Sequence, residues 1–170
     1  MEENEILTVY KKNPEKGFEM LYLKFAGKLV FFARNSFGLS EGDAEDIVHD
    51  ALLPWAENPE KMASVQKLSS YLFSSVRNGA IRFHKARKAD PLPDEMPASV
   101  ENLLDRETTI LVKEALKKLP EEQRETLVLR VWGDLPIDDV ATIHEVPVQT
   151  VASRYRYGIQ KLKELLKWME

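Results

Sequence analysis

Residues 136–167 read PIDDVATIHEVPVQTVASRYRYGIQKLKELLK and have the clearest helical pattern in the chain. Its apolar side chains recur at three- and four-residue steps, which predicts one helix from Pro136 to about residue 143 and a second from Val148 to about residue 167. The short connection between them has the spacing of a helix-turn-helix, in which apolar residues of the two helices pack together. The packing set is Val140, Ala141, Val148, Val151 and Tyr155. Any pair of antiparallel helices buries such residues, so the spacing alone is only moderately specific for DNA binding.

Further apolar stripes with helical spacing precede this pair. In the N-terminal half they predict helices over about residues 14–37, 40–54 and 69–88. Residues 40–43 resemble a capping sequence, and Pro54 is expected to end or kink the second of these helices. In the C-terminal half the stripes predict one helix that stops before Pro120 and another that ends near Gly133. Since strand-like alternation is absent from the sequence, the chain is predicted to be all-α.

Between the two halves lies a segment with no helical spacing. Residues 90–97 contain three prolines, and residues 90–107 hold six acidic residues against one arginine. Such a composition is typical of an extended linker. We therefore expect two small helical domains, residues 1–88 and 108–170, joined by a flexible acidic linker over residues 89–107. The C-terminal domain would be the helix-turn-helix.

The composition excludes several classes of function. Among 170 residues, 44% are hydrophobic, which is enough to bury real cores. The chain has no cysteine, so disulfides, thiolate nucleophiles and cysteine zinc sites are excluded. The three histidines are scattered, and there is no glycine-rich phosphate loop. The sequence therefore contains no recognisable catalytic set, and an enzyme is not expected. The acidic N-terminus is unlike a signal peptide, and no apolar run approaches the roughly 20 residues needed to span a bilayer. A cytoplasmic protein with no membrane insertion is expected.

The distribution of charge is more informative than the net charge of −4. Residues 77–88 contain five lysines and arginines and no acid, and residues 147–163 contain four and no acid. Two basic helices separated by an acidic segment suggest two contacts with a polyanion. The alternative is that each basic run is only a solvated helix face.

Two segments resemble separate modules of one protein family, in the order in which that family has them. Residues 43–53, DAEDIVHDALL, are similar to the acidic helix with which RNA polymerase sigma factors grip the clamp helices of the polymerase's largest subunit. Residues 115–124, ALKKLPEEQR, together with residues 139–141 and 150–154, resemble the C-terminal helix-turn-helix of the same proteins. The chain is similar to the extracytoplasmic-function (ECF) subfamily of the sigma-70 family. The resemblance implies a cofactor-free factor that binds core RNA polymerase and directs promoter recognition.

By this resemblance, residues of the acidic helix contact core polymerase. They are Asp43, Glu45, Asp46, His49, Asp50 and Leu53. Two alternatives stay open at this point: a plain solvated acidic face, and a metal site formed by Glu45 and His49, which are four residues apart on one helix.

The resemblance also implies that the third helix reads the downstream promoter box and the last helix reads the upstream box. The expected DNA-binding residues are Arg77, Asn78, Arg82, Lys85, Gln149, Thr150, Ser153, Arg154 and Arg156. Arg154 is the first choice for pairing with a guanine in the major groove. Glu145 stands where the family's turn usually has glycine, so a left-handed residue there would be strained by about 1 to 2 kcal/mol.

Regulation by an anti-sigma protein is a further implication of the resemblance. Two other functions remain possible from the residues alone. One is a stand-alone helix-turn-helix regulator that binds duplex DNA without polymerase, and the other is a helical adaptor with no DNA role. Promoter binding with and without core polymerase distinguishes all three.

Overall fold

A computed structural model of the chain describes residues 2–87 and 106–167, with side chains in the second range from residue 108 onward. Every regular element in these ranges is helical, which confirms the all-α prediction. The predicted linker falls almost wholly on residues 88–105, outside the described residues. The elements are α1 (Glu3–Lys12), α2 (Pro14–Phe37), α3 (Glu41–Glu57), α4 (Pro59–Met62), α5 (Leu68–Ala86), α6 (Arg106–Lys117), α7 (Glu121–Leu127), a π-helical turn (Val128–Trp132), α8 (Ile137–His144) and α9 (Val148–Lys167).

Helices α2, α3 and α5 form the predicted N-terminal bundle. Their apolar stripes meet in a core that includes Leu29, Phe32 and Phe73, each almost fully buried. The capping prediction is confirmed, because the Ser40 hydroxyl accepts a hydrogen bond from the backbone N–H of Asp43 over 3.1 Å. The same hydroxyl donates to the Asp43 carboxylate over 2.8 Å, so two hydrogen bonds between Ser40 and Asp43 fix the start of α3.

Two features of the N-terminal half differ from the prediction. Helix α3 continues through Pro54 to Glu57, so of the two predicted outcomes, an end or a kink, the end at Pro54 was wrong. A proline in the last turn removes a single backbone donor, and the helix closes after it through Asn58 N–H to Pro54 C=O. Helix α1 was not predicted. It packs on α2 where the Tyr10 backbone lies so close to Gly17 that no larger residue would fit there, and the Tyr10 hydroxyl donates to the Trp55 carbonyl.

The C-terminal half contains the predicted helix-turn-helix, α8 and α9. Its turn has Glu145 at φ 55° and ψ 43°, the left-handed conformation expected there. Val140 and Val151 are fully buried between the helices as predicted, whereas Val148 is 45% exposed. The prediction that Val148 is buried in this packing was therefore wrong, since nearly half of its side chain is exposed to solvent. Gly158 lets α9 approach α7, since an added Cβ would lie 3.2 Å from Leu127.

The two groups of helices pack against each other. Helix α2 contacts α6, α7 and the π-helical turn, and α5 contacts α8. The Phe31 ring of α2 stacks on Trp132 of the π-helical turn at 5.4 Å between ring centres and an interplanar angle of 23°. The separate modules expected from the sequence therefore share a continuous apolar core in this structure.

Candidate functional site

A groove of about 1100 Å³ runs between α2 and α3. Its floor is apolar, with Tyr22 and Leu53 exposed by 52% and 36%. Its α3 rim is acidic. The groove is lined by Phe18, Tyr22, Ala26, Gly27, Val30, Phe31, Arg34, Asn35, Glu41, Glu45, Asp46, Val48, His49, Leu52, Leu53 and Ala56. An apolar channel with an acidic edge fits an amphipathic helix that carries basic residues.

The structure divides the six predicted polymerase-binding residues between two faces of α3. Those on the groove face are Glu45, Asp46, His49 and Leu53, all exposed. Asp43 is half-buried at the helix start, 3.5 Å from the Arg87 guanidinium. Asp50 is exposed on the flank of α3 that faces α5, one turn along from Asp46. Within residues 2–87 and 106–167, no group of three or more histidine and acidic side chains is arranged to hold a metal ion.

The predicted DNA-binding residues of α5 also separate. Asn78 and Arg82 are exposed and line a pocket of about 510 Å³ between α3 and α5, next to Asp50 and Tyr71. Lys85 is exposed beyond the pocket. Arg77 is 27% exposed and faces the C-terminal helices. Asn78, Arg82 and Lys85 are thus available at the surface, whereas Arg77 is held in an ion pair with Glu125.

On α9 the outward side chains are Gln149 and Arg156, with Thr150 and Ser153 half-buried beside them. The Arg156 guanidinium lies 5.1 Å from the ring centre of Tyr157, which is 54% exposed. Arg154 lies elsewhere than expected. Its side chain is 19% exposed and faces α7, because it is four residues before Gly158 and so shares the helix face that packs on α7.

A chain of polar contacts joins the inward-facing arginines. Arg77 Nε donates to Glu125 Oε2 over 2.8 Å, and the same oxygen lies 3.0 Å from His144 Nε2. On the far side of the imidazole, His144 Nδ1 is 3.4 Å from Arg154 Nη1, and Arg154 Nη2 is 3.4 Å from Glu122 Oε2. Glu125 and His144 are both nearly inaccessible, with side chains 3% and 2% exposed.

The pKa of Glu125 is set by opposing causes. Burial of the carboxyl raises its pKa, and this is the largest single influence. The hydrogen bonds and charges of His144 and Arg77 together outweigh burial, so the pKa of Glu125 is below its ordinary value. Glu125 is therefore an ionised carboxylate that depends on one partner from each half of the chain.

Sequence reasoning missed Glu125, although one signal points to it. Glu125 is four residues before Leu129 and directly precedes the buried run Thr126, Leu127 and Val128, so it occupies an apolar-stripe position of its helix. An acid at such a position needs a buried basic partner. The identity of that partner could not be read, because Arg77 is 48 residues away in the chain.

Comparisons with known proteins agree with this architecture. Residues 21–89 match the family Sigma-70 region 2, and residues 109–162 match Sigma-70, region 4. Over 168 residues the chain is 30% identical to the ECF RNA polymerase sigma factor SigM of Mycobacterium tuberculosis, covering 97% of this chain and 85% of that protein. It is 24% identical to the ECF RNA polymerase sigma factor SigW of Bacillus subtilis over 142 residues, 74% of this chain and 76% of SigW.

Two solved structures have a similar fold. The sigma factor RpoE of Bartonella quintana, in complex with the anti-sigma factor NepR, superposes with a TM-score of 0.72 and 26% identity, over 89% of this chain and 98% of that one. CnrH, in complex with the cytosolic domain of CnrY, superposes with a TM-score of 0.67 and 21% identity over 97% of each chain, a likeness of fold alone.

The helical fold and the two matched regions define a sigma factor, the class of protein that directs RNA polymerase to promoters at transcription initiation. The chain belongs to the sigma-70 family and within it to the ECF sigma factors. This confirms the family predicted from residues 43–53, 115–124, 139–141 and 150–154. Sigma factors as a family act by binding and not by catalysis. In the part of the chain that the structure describes, no helix is both long and apolar enough to cross a membrane.

Proposed function

We propose that this sigma factor binds core RNA polymerase through the groove between α2 and α3. The observation that carries the proposal is the combination, in one groove, of an exposed apolar floor with an acidic rim. Tyr22 and Leu53 would bury apolar area against a polymerase helix, and Glu45, Asp46 and His49 would face its basic side chains. Asp43 and Asp50 add acidic groups outside the groove, Asp43 next to Arg87 and Asp50 toward α5.

The proposed DNA-binding surfaces are divided between the two modules. Residues 1–88 would form the module that binds polymerase and the downstream promoter box, and residues 108–170 the module that binds the upstream box, with residues 89–107 as the linker. Asn78, Arg82 and Lys85 would contact the downstream box, and their exposure on one side of α5 supports this. Arg77 would join them only after its contact to Glu125 is released.

The outward side of α9 would enter the major groove of the upstream box. Gln149, Thr150, Ser153 and Arg156 lie on or beside that side, where glutamine pairs with adenine and arginine with guanine. Arg154 would reach DNA only by leaving His144 and Glu122, so Arg156 is the better placed arginine in this structure.

An anti-sigma protein is the proposed regulator of this chain. The similar sigma factor of B. quintana is seen in complex with one, and that fold covers most of this chain. The proposed location is the cytoplasm, since the polymerase that a sigma factor serves is there. The chain itself is proposed to have no catalytic activity.

The test of the groove is the affinity for core polymerase of two single variants, Asp46→Lys and Leu53→Ala. Each is expected to weaken binding at least about tenfold, or ~1.4 kcal/mol. Glu5→Lys is the control, because Glu5 is exposed on α1 and lies outside the groove. Circular dichroism should show unchanged helix content in all three. Wild-type affinity in both groove variants would refute this docking surface, and promoter binding without polymerase would favour the stand-alone regulator.

A further inference from the structure

The contact between the two modules has a polar part and an apolar part. In the polar part, Arg77 of α5 donates to Glu125 of α7 over 2.8 Å. In the apolar part, Phe31 of α2 stacks on Trp132. A second ion pair, Lys67 to Asp139 over 3.2 Å, also crosses the interface, but the Lys67 side chain is 65% exposed. Of these two ion pairs, Arg77–Glu125 is the one that combines a short contact with a buried carboxylate.

We propose that the Arg77–Glu125 ion pair is an intramolecular latch that closes the two modules on each other in the free protein. The inference rests on the proposed function, because it assigns the latch to surfaces that polymerase and promoter would use. In the closed form Glu125 takes the place of a DNA phosphate on Arg77. The same closure puts Trp132 on Phe31, which is one of the residues that line the groove between α2 and α3.

The latch is built to open without damage to either module. Only Arg77 belongs to the N-terminal half, whereas His144, Glu122 and Arg154 belong with Glu125 to the C-terminal half. When the modules separate, Glu125 keeps His144 and exchanges Arg77 for water, so no buried charge is left without a partner. Arg77 becomes free for DNA. Polymerase that occupies the groove would compete with the Phe31–Trp132 stack and favour this opening.

The absence of cysteine permits a direct measurement of closure. Lys12→Cys and Lys163→Cys place one fluorescent label on the exposed end of α1 and one on α9. Single-molecule energy transfer in the free full-length chain should then show one short-distance population. In the Arg77→Ala background most molecules should shift to longer distances. Glu125→Gln should cause the same shift, because it removes the negative charge of the same ion pair.

Matched controls separate the latch from general effects of charge. Lys67→Ala removes the exposed ion pair of the same interface, and Glu122→Gln removes an acid of the same helix that contacts only its own module. Both should keep the short distance. If Glu125→Gln fails to fold by circular dichroism, Arg77→Ala carries the test, because it leaves Glu125 paired with His144.

The latch and the proposed function fail in different ways. An unchanged distance distribution in Arg77→Ala, or a wild-type chain that is already open, overturns the latch whatever the chain does with polymerase. Absence of core polymerase binding by wild-type protein overturns the proposed function and leaves the distances of the free chain unaffected. Addition of core polymerase to the labelled wild-type chain should convert the short-distance population to the long one, and retention of the short distance in the complex also refutes the latch.

Discussion

Two basic helices, α5 and α9, each divide their arginines in the same way. On α5 Arg77 is turned inward to Glu125 while Arg82 is exposed, and on α9 Arg154 is turned inward to Glu122 while Arg156 is exposed. Successive residues of a helix are about 100° apart, so spacings of five and two residues place the two members of each pair roughly 140° and 160° apart. A basic cluster in the sequence therefore contains both surface charges and structural ones, and its net charge does not distinguish them.

The largest expected difference lies within α5. Arg77→Ala removes the ion pair with Glu125 across the module contact, and we expect a loss of about 2 kcal/mol in the free energy of unfolding. This is less than the roughly 3 to 5 kcal/mol of a fully buried pair, because Arg77 is partly exposed and Glu125 gains water when the modules separate. Arg82→Ala should change stability by less than about 0.5 kcal/mol. Urea unfolding of the free chain measures both. Equal losses in the two variants would remove the distinction between them.

The next difference concerns α9 and promoter choice. Arg156→Ala should cost about 1 to 3 kcal/mol in the free energy of promoter recognition, which lowers transcription from the cognate promoter. It should also relax the preference at one base of the upstream box. Arg154→Ala should change base preference less, since its guanidinium contacts His144 and Glu122. Reconstituted holoenzyme on promoters varied one base at a time measures both effects. A loss of base preference in Arg154→Ala alone would restore Arg154 as the base-reading residue.

The smallest expected effect is a pH dependence. The pKa of Glu125 is lower in the folded chain than the ordinary value of 4.5, so its ionisation stabilises the folded state above about pH 4.5, and this stability is lost as the pH falls through the lower folded pKa. The charged groups that face it are Arg77 and His144, with Arg154 beyond the imidazole. The stability of wild type should fall below pH 4.5 more steeply than that of Glu125→Gln. If the stability of the two proteins falls in parallel with pH, Glu125 is excluded as the source of the pH dependence.

The helices that could be predicted are those with strong local signals. The bounds of α2, residues 14–37, followed from a proline at its start and a regular apolar stripe. The left-handed Glu145 followed from the resemblance to the family, whose turn usually has glycine at that place. Helix α1 was missed because its ten residues are stabilised by packing on Gly17 and by the Tyr10 hydroxyl bond to Trp55, 45 residues away. Val131 is 52% exposed although it lies three residues after the buried Val128, because the π-helical turn shifts the register of the side chains there.

The candidate site shows the same limit. The acidic helix with Glu45, Asp46 and His49 could be located from its motif, because a run of acids opposite an apolar stripe is a property of one helix. That Asp50 faces α5 and not the groove depends on how α3 sits between α2 and α5. The role of Glu125 depends on a contact between the two halves of the chain.

From the residues alone one can read the helical class, the helix-turn-helix, the capped start of α3 and the sigma-70 family, because helical period, caps and motifs are properties of residues close together in the chain. Which arginines face solvent and which are held by acids depends on how the helices pack together. The Arg77–Glu125 contact spans 48 residues. The packing of α5 against the C-terminal helices brings these two residues together. A buried carboxylate is stable only where folding brings a cation within hydrogen-bond distance.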